Sequence, residues 1–332
     1  MKRLIRGTAI LAVLISPAIA ADKSVTPDAI NAAELQEKLP DADKVSALAV
    51  KLQVLLDRAH VSPGEIDGRF GDNVEKAVRA YAELNGFSSE AKITAEIWAK
   101  LQPGANKPVM TRYTLTEADI KGPFLKKLPA KMEDMKSLKK LSYTSAREAL
   151  GERFHMNPDL LNELNPGITF DRAGETINVV DVAADKVAGK VARIEVDKTR
   201  ETVTAFGKDG EMLAFFPASV GSEEKPTPDG TVKVVSIDAN PTYRYNPKYK
   251  FKGVTSKKPF TIRGGPNNPV GVVWIGLSAD SYGIHGTAEP SRISKTESHG
   301  CVRLTNWDVQ RLAEATKKGV EVSFVDGKQA VK

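Results

Sequence analysis

Two hydrophobic periods divide the chain. From Val45 the apolar positions recur every three or four residues. Val45, Leu48, Ala49, Leu52, Leu55, Leu56 and Ala59 fall on one helical face. The polar turn SPGEIDGRFGD ends that run. Asp72, with Glu75 three residues on, is placed to cap a second helix. Val74, Ala77, Val78, Tyr81 and Leu84 form its apolar face, and Gly86 stands where a helix C-cap belongs. Thr94 opens a short third helix carrying Ile97, Trp98 and Leu101. A three-helix unit is therefore expected over residues 45–101. A second small unit is expected over 141–182. Ser145 and Glu148 have capping-box spacing. Asn157-Pro158 suits the cap and first turn of a helix carrying Leu160, Leu161 and Leu164. Asn165-Pro166-Gly167 ends it, and AGETINVV then alternates as a strand, with Ile177 and Val179 on one side.

From Lys190 the period changes to two. VARIEVD alternates. VTAFGKDGEMLAFF reads as two strands around an Asp-Gly hairpin turn. TVKVVSID, PFTIRG, VVWIGLS and YGIHGT follow as short strands between loops rich in Gly, Pro and Asn. One late helix, capped by Thr305 or Asn306, runs over Trp307–Lys317 and stops at Gly319. VEVSFVD reads as a last strand. This pattern predicts an all-β sandwich or barrel, taken as a sandwich, with one late helix over 188–326. Residues 21–44 and the Pro- and Lys-rich stretch 102–140 read as linkers, the latter with short elements. The fold class is a multidomain α+β chain: a three-helix domain, a small ααβ module and a C-terminal β domain.

The length of 332 residues agrees with two or three domains. MKRLIRGTAILAVLISPAIA has a basic start, a short apolar run, and Ala18-Ile19-Ala20 as a small-x-small cleavage site. Residues 1–20 are thus expected to be a secretory signal peptide. The apolar run is short of the roughly 20 residues that span a bilayer. No cysteine at the cleavage site offers a lipid anchor, and no later segment is long and apolar enough to span. An exported, periplasmic or envelope protein is expected. Losing Lys2, Arg3 and Arg6 takes 48 basic residues to 45 against 42 acidic ones, near +3. That is no nucleic-acid footprint. The sequence does not set an oligomeric state.

Export sharpens the reading of SHGCVRL, residues 298–304. It holds Cys301, the single cysteine, and His299, one of four histidines; His285 lies sixteen residues before the cysteine. One cysteine cannot form an internal disulfide, and a lone thiol in an oxidising compartment invites damage unless it is used. A thiol works as its thiolate, with an imidazole to accept the proton. His285, at the end of a predicted strand, is the candidate base. The Gly286 carbonyl, or another nearby, can hold its second ring nitrogen. If 298–303 is extended, His299, Cys301 and Arg303 share one face. Gly300 allows close approach of a substrate backbone. The N–H groups of Gly300 and Cys301 are candidate oxyanion donors. Arg303 can bind a substrate carboxylate through two nitrogens. Two other readings stand beside this one. The cysteine can be plain core with coincidental histidines. Or His285, His299 and Cys301 can ligate zinc, although His-x-Cys is an uncommon ligand pair and no fourth ligand is evident.

Three resemblances add to this. LQVLLDR, GEIDGRFGDNVEKAVRAYAELNGF and ITAEIWAKLQ resemble the helical peptidoglycan-binding domain of wall enzymes. Leu-x-x-Leu-Asn-Pro followed by Ala-Gly-Glu-Thr-Ile is similar to a LysM glycan-binding module, with TSAREAL in place of its usual Gly-Asp-Thr-Leu start. IHGT with SHGCVRL, TPDGTVKV and GGPNNPVGVVWIGLS resembles the YkuD-type L,D-transpeptidases over 188–326, Ser298 being the first residue of the Ser-His-Gly-Cys signature. This last resemblance implies acyl transfer on peptidoglycan stem peptides, with Cys301 as nucleophile and His285 as base. It implies that His299, Gly300, Arg303, Ser298 and Gly286 shape the site, with no metal and no organic cofactor. It implies 3→3 cross-linking or attachment of another amine at the position-three diamino acid. An L,D-carboxypeptidase of the same fold, or a non-catalytic wall-binding protein, are the alternatives.

Overall fold

The computed structural model describes residues 25–88, 92–182, 186–222, 226–249, 254–296, 298 and 300–327. The expected leader over 1–20, and His299, lie outside the described residues.

The N-terminal half opens with α1 (Pro27–Asn31), α2 (Ala47–Arg58), α3 (Asp72–Leu84) and α4 (Ala95–Leu101). Ser46 caps α2, its hydroxyl accepting from Ala49 N at 3.2 Å. Thr94 caps α4 as the sequence suggests. Asp72 does not cap α3. Gly71 holds that place and Asp72 is the first helical residue, where its carboxylate still faces the positive end of the helix dipole. β1 (Met110–Thr114), α5 (Glu117–Lys121) and α6 (Met132–Met135) follow, then α7 (Ala146–Arg153), α8 (Pro158–Glu163) and β2 (Thr176–Val180). Ser145 caps α7 through Glu148 N at 3.1 Å. The Glu148 carboxylate passes over Ser145 and takes Thr144 N at 2.6 Å, so the reciprocal half of the box sits one residue back. Asn157 caps α8 through Asp159 N at 2.8 Å.

The stretches read as linkers carry structure. β1 lies within 102–140 and pairs antiparallel with β2, from Met110↔Val180 to Thr114↔Thr176. Its residues alternate weakly because only Met110 is fully buried. α1 lies within 21–44, and its Ile30 is fully buried. One apolar cluster joins Ile30, Leu52, Leu56, Ile66, Leu150, Met156, Leu161 and Val179. The helical unit and the ααβ unit therefore share a core. The turn between α2 and α3 is the seam: Ile66 N donates to His155 O at 2.8 Å and Asn157 N to Ile66 O at 2.9 Å.

The C-terminal half holds β3 (Arg193–Asp197), β4 (Thr202–Phe206), β5 (Met212–Pro217), β6 (Gly230–Ala239), β7 (Tyr243–Tyr245), β8 (Phe260–Ile262), β9 (Val273–Leu277), β10 (Gly283–His285), β11 (Val302–Arg303), α9 (Asn306–Ala315) and β12 (Glu321–Val325). The expected sandwich is corrected. Eight strands form one hydrogen-bonded sheet in the order β11-β10-β9-β6-β12-β3-β4-β5, and β7-β8 form a separate ribbon. β6 is the reason. Its first residues pair with β12 and its later ones with β9, with a register shift between Val234 and Ser236. One long strand thus serves both halves, and a bulge of this kind bends the sheet. α9 packs on β9 and β10. Val309 and Leu312 join Ile194, Val203, Phe216, Ile275, Ile284 and Val302 in a second core. The halves meet where Ser62 N donates to Phe215 O at 2.9 Å and Phe215 N to His60 O at 3.0 Å.

Candidate active site

β10 and β11 lie side by side and parallel, with Ile284 opposite Val302 and His285 opposite Arg303. Leu304 N donates to His285 O at 2.9 Å and extends the ladder. Cys301 is the residue just before β11. In that register Cys301 stands level with Gly283, at the start of the strand that ends on His285.

The segment before β11 is bent, not extended. Gly300 has φ +96°, a conformation that favours glycine. Ser298 closes the bend. Its backbone N–H donates to Val220 O at 2.7 Å, and its hydroxyl accepts from Gly300 N at 3.1 Å and donates to Cys301 O. The bend falls before the thiol, and Cys301 and Arg303 still line one cleft. The Gly300 N–H, expected as an oxyanion donor, is taken by Ser298. The Cys301 sulfur is partly exposed and lies 3.8 Å from Ser281 O, where Ser281 has φ +68°.

His285 is buried, and its Nδ1 lies 2.7 Å from Gly286 O. A carbonyl only accepts, so Nδ1 carries the proton and Nε2 keeps its lone pair. Trp274 is the cross-strand partner of His285 on β9, and its ring stacks on the imidazole at 5.5 Å and 17°. Gly283 makes room for the indole, since a Cβ there would lie 2.5 Å from the Trp274 ring. Burial lowers the His285 pKa to about 4; the Gly286 carbonyl acts against that shift and the Arg303 cation with it. The ring is neutral at neutral pH.

Arg303 is fixed through its backbone, which pairs both ways with Ser219 at 2.9 and 3.0 Å. Its guanidinium faces the cleft and has no hydrogen bond or ion pair among the described residues. Burial lowers its pKa, against the attraction of Cys301 and Glu289. Cys301, His285, Arg303, Ser298 and Trp274 all line one cleft of about 1790 Å³. Tyr243 lines it too, and burial beside Cys301 raises its pKa. Leu128, Met132 and Met135 supply an apolar wall from the stretch read as a linker. Among the described residues, no group of three or more His, Cys, Asp or Glu side chains is placed to hold a metal. Trp274 was the site residue most open to discovery from sequence, as the odd aromatic in VVWIG. Asn306, wedged behind Gly286, carried no signal of its own.

Residues 191–323 match the family description of the YkuD L,D-transpeptidase catalytic domain. The putative L,D-transpeptidase YkuD of Bacillus licheniformis is 29% identical over 180 residues, 53% of this chain and 92% of that one. The probable L,D-transpeptidase YbiS of Escherichia coli is 29% identical over 192 residues, covering 55% of this chain and 61% of its own length. Among solved structures, L,D-transpeptidase 3 from Mycobacterium tuberculosis aligns at a TM-score of 0.34 and 16% identity, over 46% of this chain and 76% of that one. The cleft of Cys301 and His285 lies within the matched region, and residues 191–323 are similar to the L,D-transpeptidase catalytic domains of the YkuD family.

Proposed function

We propose that the protein is a cysteine acyltransferase of peptidoglycan stem peptides, exported to the cell envelope. The observation that carries this is the pairing of one thiol with one neutral imidazole in a common cleft. The His285 proton is on Nδ1, so Nε2 is the acceptor.

Cys301 Sγ attacks the carbonyl of the position-three diamino acid, and His285 Nε2 takes the thiol proton. The S–C bond forms and the carbonyl becomes an oxyanion, met by the Cys301 N–H. With the Gly300 N–H engaged by Ser298, Gly300 and Ser298 serve to hold the turn. The C–N bond to D-alanine then breaks, and the leaving amine takes the proton from His285. An amine of a second stem attacks the thioester. It gives its proton to His285, the new C–N bond forms, the S–C bond breaks, and His285 returns the proton to Cys301 Sγ. Arg303 holds the donor's terminal carboxylate. Gly286 orients the base. His299, two positions before the thiol in sequence, is assigned to shape the site. A neutral resting imidazole makes proton transfer part of the attack rather than a preformed ion pair.

The test supplies a tetrapeptide stem with and without a second stem. A cross-linked dimer with free D-alanine is expected, and none from Cys301→Ala. Tripeptide as the sole product, whatever the acceptor, makes water the acceptor. Dimer formed by Cys301→Ala overturns the reading.

A further inference from the structure

The environment of His285 does not end with the matched region. Asn306 opens α9, and its side-chain amide is held from both sides. Nδ2 donates to both carboxyl oxygens of Glu152, at 2.8 and 3.1 Å, and to Pro266 O at 3.2 Å. With its donors committed there, Oδ1 faces the other way and accepts from Val272 N at 3.1 Å. The oxygen fits between two glycines. A Cβ at Gly271 or at Gly286 would lie 2.2 Å from it. Gly271 has φ +60°, and Gly286 N donates to Val273 O at 3.3 Å. The carbonyl of that same Gly286 holds His285 Nδ1. The Asn306 amide thus sets the position of the backbone that sets the tautomer of the base.

Glu152 belongs to α7, outside 191–323. It is not alone in reaching across. Leu141 N donates to Gly264 O at 3.0 Å, and Asn267 N donates to Leu141 O at 2.9 Å. Asn267 Nδ2 donates to Ser142 O at 3.0 Å and to Glu148 Oε1 at 2.8 Å. A Cβ at Gly265 would lie 2.3 Å from Leu141 O. So the loop 264–271, which leads into β9 and Trp274, is built on α7 and the residues just before it.

We propose that Glu152 is a positioning residue for His285, acting through Asn306 and the Gly271 and Gly286 backbone. The unit over 141–182 thereby completes the catalytic domain rather than hanging beside it. This rests on the reading of His285 as the base. A carboxyl and an amide share this role because the amide must be oriented, and the two carboxyl oxygens at position 152, beside Pro266 O, are what commit its Nδ2. Small displacements of a catalytic group are costly, about a hundredfold in rate for about 1 Å.

The experiment uses the full chain with Glu152→Leu, Glu152→Gln and Asn306→Ala. Glu152→Leu removes the acceptor at similar volume, Glu152→Gln keeps one, and Asn306→Ala cuts the same link from the catalytic side. Two readouts are taken on protein shown to be folded by its melting curve. One is the rate of Cys301 acylation by imipenem, followed by intact mass. The other is the His285 ring in ¹⁵N–¹H spectra, which report the Nδ1–H tautomer. Glu152→Leu and Asn306→Ala are expected to slow acylation about 10- to 100-fold and to lose the single Nδ1–H signature, with Glu152→Gln close to wild type in both. Wild-type acylation with unchanged rates and tautomer in both crippled variants overturns the proposal. So does slowed acylation with an unchanged tautomer, which is a merely structural effect. If wild type is not acylated, the catalytic reading fails and the tautomer alone decides the positioning role.

Discussion

Asp57 of α2 accepts both terminal nitrogens of Arg311 of α9, at 3.0 and 2.9 Å, with its carboxylate fully buried. The same carboxylate lies 2.9 Å from His155 Nδ1, and the His155 ring stacks on Trp307 at 5.0 Å. The helix that follows the thiol strand is thus pinned to the first long helix of the chain. Burial alone would raise the Asp57 pKa, but His155 and Arg311 together hold it below the usual carboxylate range.

Removing one partner of a buried ion pair leaves the other uncompensated, at about 3–5 kcal/mol. Asp57→Asn is expected to lower the unfolding free energy by about that much. The double change Asp57→Leu with Arg311→Leu is expected to recover much of it. Urea unfolding followed by circular dichroism checks this. Equal losses in the single and double variants contradict it.

The acids near α9 respond to pH in two senses. Asp57 has a depressed pKa, so its contribution is present above its unfolded value and lost on acidification. Glu152 and Asp308 are the reverse. Burial raises them to about 8 and about 7, against hydrogen bonds from Asn306 and, for Asp308, the charge of Arg311. A raised pKa favours the protonated fold. That contribution is complete below the unfolded carboxyl pKa and is lost as pH rises through about 7 to 8. Melting temperature should therefore fall from about pH 4.5 to about pH 8 and level off above that. Glu152→Gln, which cannot ionise, should flatten that fall. An unchanged slope counts against the assignment.

Ser298→Ala strips the Gly300 N–H of its acceptor and the Cys301 carbonyl of its donor. Loss of such buried hydrogen bonds is worth about 1–3 kcal/mol each, so acylation of Cys301 should slow about tenfold or more. Ser298→Thr keeps the hydroxyl and should stay near wild type. Stopped acylation measurements on the two variants decide it, and equal rates for Ala and Thr would sink the idea.

Arg303→Gln removes a cation that faces the cleft without an ion-pair partner among the described residues. A hydrogen bond to a charged group is worth about 1.5–3 kcal/mol. KM for a tetrapeptide donor with a free terminal carboxylate should rise about tenfold or more, while an amidated donor should show little change. An equal loss on both donors would mean that Arg303 does not bind the carboxylate.

Much of this was written in local pattern. The faces of α2 and α3 show in their period, and Thr94, Ser145, Asn157 and Thr305 mark helix starts by their side-chain oxygens. Alternation marks most strands of the large sheet. β1 escaped because MTRYT buries only its first residue, and α1 because Ile30 is its one buried side chain. The bend at Gly300 escaped because a strand pattern says nothing of φ at a glycine. What joins the halves is non-local. Asp57 and Arg311 are 254 positions apart, and Glu152 and Asn306 are 154 apart. No periodicity links such residues. For the same reason the His285 and Cys301 spacing suggested a pair, while Trp274 and Asn306 around it waited for the fold.

The proposed function rests on Cys301 as the carrier of the acyl group, with His285 as its base. The direct measurement is intact mass and peptide mapping of the protein trapped during reaction with a labelled tetrapeptide. A thioester on the Cys301 peptide, with one D-alanine released per adduct, is the predicted result. It should be absent in Cys301→Ala and strongly reduced in His285→Ala at neutral pH. D-alanine release that continues in Cys301→Ala, or an adduct on another residue, would contradict the account.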